Sequence, residues 1–151
     1  MSEKYKEMGS AADGMKTPSE ALSESQPVWE RLRNDATGET WVWCVLEGTV
    51  YRVVSSGSGD LSEMAAAALV RSDCIYFGGL RINKPAVKFI HVLYVPAGVS
   101  PLKRGKDQLQ KAAIFNSWPG ASKELSLTEM DETIFKEAVA KGVGCKVSDL
   151  S

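Results

Sequence analysis

The chain has 151 residues, 44% hydrophobic and 25% charged, which suits one globular domain with a single core and is too short for two. Eighteen basic residues against nineteen acidic leave a formal charge of −1, which excludes the global positive field of a nonspecific nucleic-acid binder and confines any charged interface to a local patch. No run of 18 or more apolar residues occurs, and the opening Met-Ser-Glu-Lys-Tyr-Lys-Glu lacks an apolar signal core, so the sequence predicts a cytosolic protein with no membrane partner.

Residues 1–24 are rich in Ser, Glu, Lys, Gly and Ala and hold almost no large aliphatics, which predicts a flexible tail. Ser25 and Pro27 then open a short helix through Asp35, with Val28, Trp29 and Leu32 as its apolar positions. Trp41 to Leu46 reads as a strand dense on both faces, joined across Glu47-Gly48 to a second strand over 49–54, a hairpin. Asp60 with Glu63 forms a capping arrangement ahead of Leu61, Met64, Ala65, Ala68 and Leu69, one buried helical stripe. Cys74 to Ile82 gives a third strand with a break at its Gly-Gly pair, and Val87 to Val95 a fourth.

After Pro96 a turn leads to Ser100 and Pro101, the N-cap and first residue of a further helix whose first turn carries Lys103, Arg104 and Lys106. Cations at that end meet the positive pole of the helix dipole, at a cost of a few tenths to about 1 kcal/mol each, and an anionic partner would relieve the opposition. Leu102, Gly105, Leu109, Ala112 and Ala113 share a narrow sector, expected to face the sheet, while Asp107 and Lys111 form an i,i+4 pair. A short strand over Lys123 to Leu127 follows, and then a helix capped by Thr128, with Ile134, Phe135, Ala138 and Val139 buried and Gly142 and Gly144 at its end. The order implies an α/β (α+β) domain over 25–144, a central mixed sheet of about five strands sandwiched by helices, with 145–151 as a C-terminal tail.

Constellations for catalysis are missing from this pattern. His91 lies mid-strand between Ile90 and Val92, where a hydrogen-bonded core histidine is expected. Cys44, Cys74 and Cys145 are odd in number and widely separated, which predicts reduced structural thiols. One histidine and three scattered cysteines give no metal-ligand spacing, and Asp131-Glu132 sits where a helix start favours carboxylates, so neither enzyme activity nor cofactor is expected.

The W-V-W-C-V strand ending in E-G, the S-G-S-G-D-L-S-E-M helix opening, the I-Y-F-G-G-L-R-I and V-K-F-I-H-V-L-Y-V strands and the G-V-S-P-L-K-R-G-K helix start together resemble the actin-depolymerising-factor homology domain. The likeness covers about Val28 to Gly142 and is greatest to coactosin and the drebrin-like actin-binding proteins, where a Lys-Phe pair opens the central strand as Lys88-Phe89 does. The resemblance implies a monomeric cytoskeletal protein that binds actin, the filament in preference to the monomer. It implies contacts through Lys88, through Lys103, Arg104 and Lys106 at the basic helix start, and through Arg81, Lys84 and Lys111 as additions. Two alternatives stay open: a severing or depolymerising factor of the cofilin type, and an adaptor that binds the actin branching complex as glia maturation factors do. The replacement of the cofilin helix motif by Arg104-Gly105-Lys106-Asp107 speaks for filament side-binding.

Overall fold

A computed structural model describes residues 18–150. Its elements are α1 (Pro18–Ala21), α2 (Ser25–Arg33), β1 (Trp41–Glu47), β2 (Val50–Gly57), α3 (Leu61–Ala67), β3 (Tyr76–Ile82), β4 (Lys88–Tyr94), α4 (Pro101–Arg104), α5 (Asp107–Phe115), β5 (Lys123–Leu127) and α6 (Glu132–Val143). A single 3₁₀ turn over Val147–Asp149 follows α6.

The five strands form one mixed sheet in the order β2-β1-β3-β4-β5, antiparallel except for the parallel pair β4 and β5. The β1–β2 hairpin turns at Gly48-Thr49, with Glu47 opposite Val50 and Gly48 at φ 62°, a conformation that glycine adopts freely. Strand alternation splits the core in two. On one face Trp41, Trp43, Tyr76, Leu80, Ile90 and Val92 pack under Met64 of α3 and Phe135 and Val139 of α6. On the other, Val42, Cys44, Phe77 and Leu93 pack under Val28, Trp29 and Leu32 of α2, Ile114 and Phe115 of α5, and Trp118.

The expected Gly-Gly break in the third strand is not there. Gly78 and Gly79 stay paired within β3, opposite Trp43 and Val42 of β1. Each supplies room for an indole. A Cβ at Gly78 would strike the Trp43 ring on one face, and one at Gly79 would lie 2.9 Å from Cε3 of Trp29 on the other. Other expectations shift by a few residues. Asp131, not Thr128, caps α6, its carboxylate accepting from the Ile134 N–H at 2.7 Å. Gly144 ends that helix at φ 77°. Asp60 caps α3 as expected, but Glu63 turns to the Gly59 N–H and to Trp41 Nε1 instead of closing a reciprocal box, and Leu69 is 58% exposed because α3 stops at Ala67.

Both expected tails are shorter than the sequence suggests. The last residues of the N-terminal stretch are built into the domain: Leu22 is buried, and the Glu24 carboxylate pairs with Arg52 while accepting the Val53 N–H from the outer strand β2. At the other end Leu150 packs against the core. The remainder of the expected N-terminal tail, 1–17, lies outside the described residues.

Candidate interaction surface

The helix predicted to start at Pro101 is two helices. Ser100 Oγ accepts the Lys103 N–H at 3.3 Å and Pro101 sits in the first turn, but α4 ends at Arg104, and Lys106 (φ −105°, ψ −1°) begins α5 without a side-chain cap. The Lys106 N–H bonds back three residues to the Lys103 carbonyl, a tightened turn between the two. Lys103 and Arg104 therefore sit in a helix of a single turn, too short to sum the peptide dipoles on which the expected opposition depends. Sequence periodicity ran straight through Gly105, whose αR backbone conceals the break.

The seven basic residues singled out in the sequence fall into two groups. Lys103, Arg104, Lys106 and Lys111 belong to α4 and α5, beyond the end of β4. Arg81, Lys84 and Lys88 surround the β3–β4 turn at its start. Extended backbone over Lys88–Tyr94 places these ends about 20 Å apart.

Their states also differ. Arg81 is largely enclosed, its side chain 9% exposed, donating to the Leu32 carbonyl at 3.1 Å, Asn83 at 3.0 Å and Asp35 at 2.5 Å with its guanidinium over the Phe89 ring. Lys111 is paired with Glu124 of β5. Arg104 donates to the Val99 and Pro96 carbonyls, and exposed Lys103 rests its ammonium on the Asp73 carbonyl at 3.2 Å. Lys84 and Lys106 are exposed and Lys88 half-buried, and among the described residues the ammonium groups of these three make no hydrogen bond or ion pair.

The face of α5 is turned relative to expectation. Asp107, Gln110, Lys111, Ile114 and Phe115 line the inner side, at i, i+3, i+4, i+7 and i+8, with only the last two fully buried. The Tyr51 hydroxyl reaches the Gln110 carbonyl at 2.6 Å and the Lys111–Glu124 pair completes the seat. Leu109, Ala112 and Ala113, expected inside, face water together with Leu102 of α4, and both leucines are 73% exposed. These leucines are what sequence reasoning missed as site residues. The bulk of Ile114-Phe115 against Ala112-Ala113 was the available signal, hidden because half of the inner stripe is polar. Leu102 and Leu109 offer apolar area to solvent on the same α4–α5 unit that exposes Lys103 and Lys106, a composition suited to a partner with apolar and acidic surface.

Two of the groups able to do acid–base or nucleophilic chemistry, His91 and Cys44, are buried. His91 is buried between Trp29, Phe115 and Trp118, stacked on Phe115 at 4.4 Å, and its Nε2–H donates to the Trp118 carbonyl at 2.9 Å. Burial lowers its pKa. Burial also pushes the Cys44 thiol well up, as it does Cys74. No cluster of metal-ligating side chains is present among the described residues.

No family model and no curated protein matches the sequence. Among solved structures, coactosin from Entamoeba histolytica superposes with a TM-score of 0.69 at 22% identity, covering 83% of this chain and 95% of that one. The human coactosin-like protein solved by NMR gives 0.65 at 19%, covering 87% and 89%. Mouse coactosin, described as an actin filament binding protein, gives 0.60 at 18%, covering 85% and 92%. The fold is that of the actin-depolymerising-factor homology domain. Within this homology fold, the exposed leucines belong to the α4–α5 unit that follows the central strand, and Lys84 and Lys88 belong to the turn and strand start at that strand's other end.

Proposed function

We propose that the chain is a non-catalytic actin-binding protein of the cytoplasmic cytoskeleton, coactosin-like, docking on the side of filaments. The observation that carries this reading is that one α4–α5 unit exposes Leu102 and Leu109 together with Lys103 and Lys106, on a fold shared with an actin filament binding protein. The leucines supply apolar area and the cations match acidic surface. Lys84 and Lys88, uncommitted at the far end of β4, supply a second point of contact, whereas Arg81 and Lys111 are held by carboxylates of the domain itself. Surface charges of this kind act mainly on encounter rate and salt sensitivity, and a charge desolvated in the interface costs about 2 to 5 kcal/mol on truncation.

The test is co-sedimentation with actin filaments. Lys103→Glu combined with Lys106→Glu is expected to abolish pelleting, Leu109→Ser to weaken it at least tenfold by loss of about 1.5 kcal/mol or more of apolar contact, and Lys88→Ala to weaken it independently. Circular dichroism should be unchanged in all three. Undiminished pelleting of the first two variants would reject the surface. Pelleting by none of the proteins, wild type included, would reject filament binding itself.

A further inference from the structure

We infer that Arg104 is a positioning residue that clamps α4, and not one of the charges presented to the partner; its consequence for affinity rests on the filament-binding reading above. Arg104 sits among three cations in four residues, and by sequence alone it is equivalent to Lys103 and Lys106. Its geometry is not. Nε donates to the Val99 carbonyl and Nη2 to the Pro96 carbonyl, each at 2.9 Å, and the side chain is half-buried.

Both acceptors belong to the loop that delivers the chain from β4 into α4. The Pro96 carbonyl already receives the Val99 N–H at 3.1 Å, and the Ser100 carbonyl receives the Arg104 N–H at 3.0 Å. Residues 96–104 are thus closed into a ring, with the guanidinium fork as its last link. Buried Val99 anchors the ring to the core, and Gly98 lies against the Ser72 carbonyl, where a Cβ would come within 2.5 Å. The directions of Leu102 and Lys103 follow from this closure, because α4 is a single turn with no buried residue of its own. A guanidinium spans two carbonyls with a fixed planar fork, which a lysine ammonium, a single point charge, does not reproduce.

Charge and fork are separable by Arg104→Lys. Filament affinity is measured by co-sedimentation across a salt series for wild type, Lys103→Ala, Lys106→Ala, Arg104→Lys and Arg104→Ala. The clamp predicts that both Arg104 variants bind about fivefold or more weakly, the loss of two charge-assisted hydrogen bonds, with the slope of log Kd against log salt as in wild type. The two lysine variants lower that slope. A contact role predicts the reverse: Arg104→Lys binding like wild type and Arg104→Ala losing slope. Either of those results overturns the proposal. Amide hydrogen exchange, measured without actin, makes the clamp testable even if wild type fails to pellet. The Val99, Arg104 and Gly105 amides should exchange at least tenfold faster in Arg104→Lys, with β4 and α6 unchanged, and unaltered exchange at those amides overturns the clamp whatever the filaments show.

Discussion

The four tryptophans act as rivets in two pairs, Trp29 and Trp118 joining α2 to the loop after α5, and Trp41 and Trp43 joining β1 to α3. Trp29 donates to the Pro119 carbonyl at 2.9 Å, Trp43 to Met64 at 2.8 Å, Trp118 to Ser25 at 3.0 Å and Trp41 to Glu63 at 2.6 Å. Because a buried indole N–H without a partner is costly, these bonds fix the rings and therefore the clearance above Gly78 and Gly79. Gly79→Ala should destabilise the domain by about 1 to 3 kcal/mol through overpacking against Trp29 and Val42, read as a lower urea midpoint at constant slope. At this scale the sequence was legible where the signal is local: His91 in the middle of an apolar strand is buried and hydrogen-bonded as its neighbours imply. Gly78-Gly79 was misread because the rings that need the space come from residues 29 and 43, far off in sequence.

At the level of elements, strands read well because their apolar runs are bounded by turn residues, and β5 has the predicted limits Lys123–Leu127. The α4–α5 unit read poorly for two reasons. Alanines carry little weight in deciding which face is buried, and a glycine in αR leaves no mark of a helix break. A Cβ at Gly105 would meet the Leu102 and Pro101 carbonyls at 3.6 Å, ordinary contact, and its φ of −66° is open to any residue. Gly105→Ala is therefore expected to stabilise the protein by about 0.5 to 1 kcal/mol by restricting the unfolded chain and favouring helix, measured by urea unfolding. A loss of stability would show that the break itself is needed by the fold.

Taken over the described residues, the domain is three layers with both sheet faces covered and with β2 and β5 as the outer strands of the sheet. The layer arrangement was legible because strands and helices alternate along the chain with the apolar periods each requires. The limits of the domain were not, since polar stretches such as 18–24 contribute single residues, Leu22 and Glu24, whose partners are remote. Glu24 carries a consequence for life in a crowded cell. An outer strand with free amides is a template on which a second molecule can add its own strand, and the Glu24 carboxylate occupies one such amide, Val53, while Arg52 holds it in place. Arg52 also keeps that carboxyl below its usual range of titration, so the guard stays charged until acid conditions and is lost only as the pH falls through the lowered value. Glu24→Ala should leave the monomer folded at neutral pH yet produce concentration-dependent oligomers in analytical ultracentrifugation. Wild type should do the same only after acidification, so that a single side chain separates a solitary protein from one that stacks edge to edge.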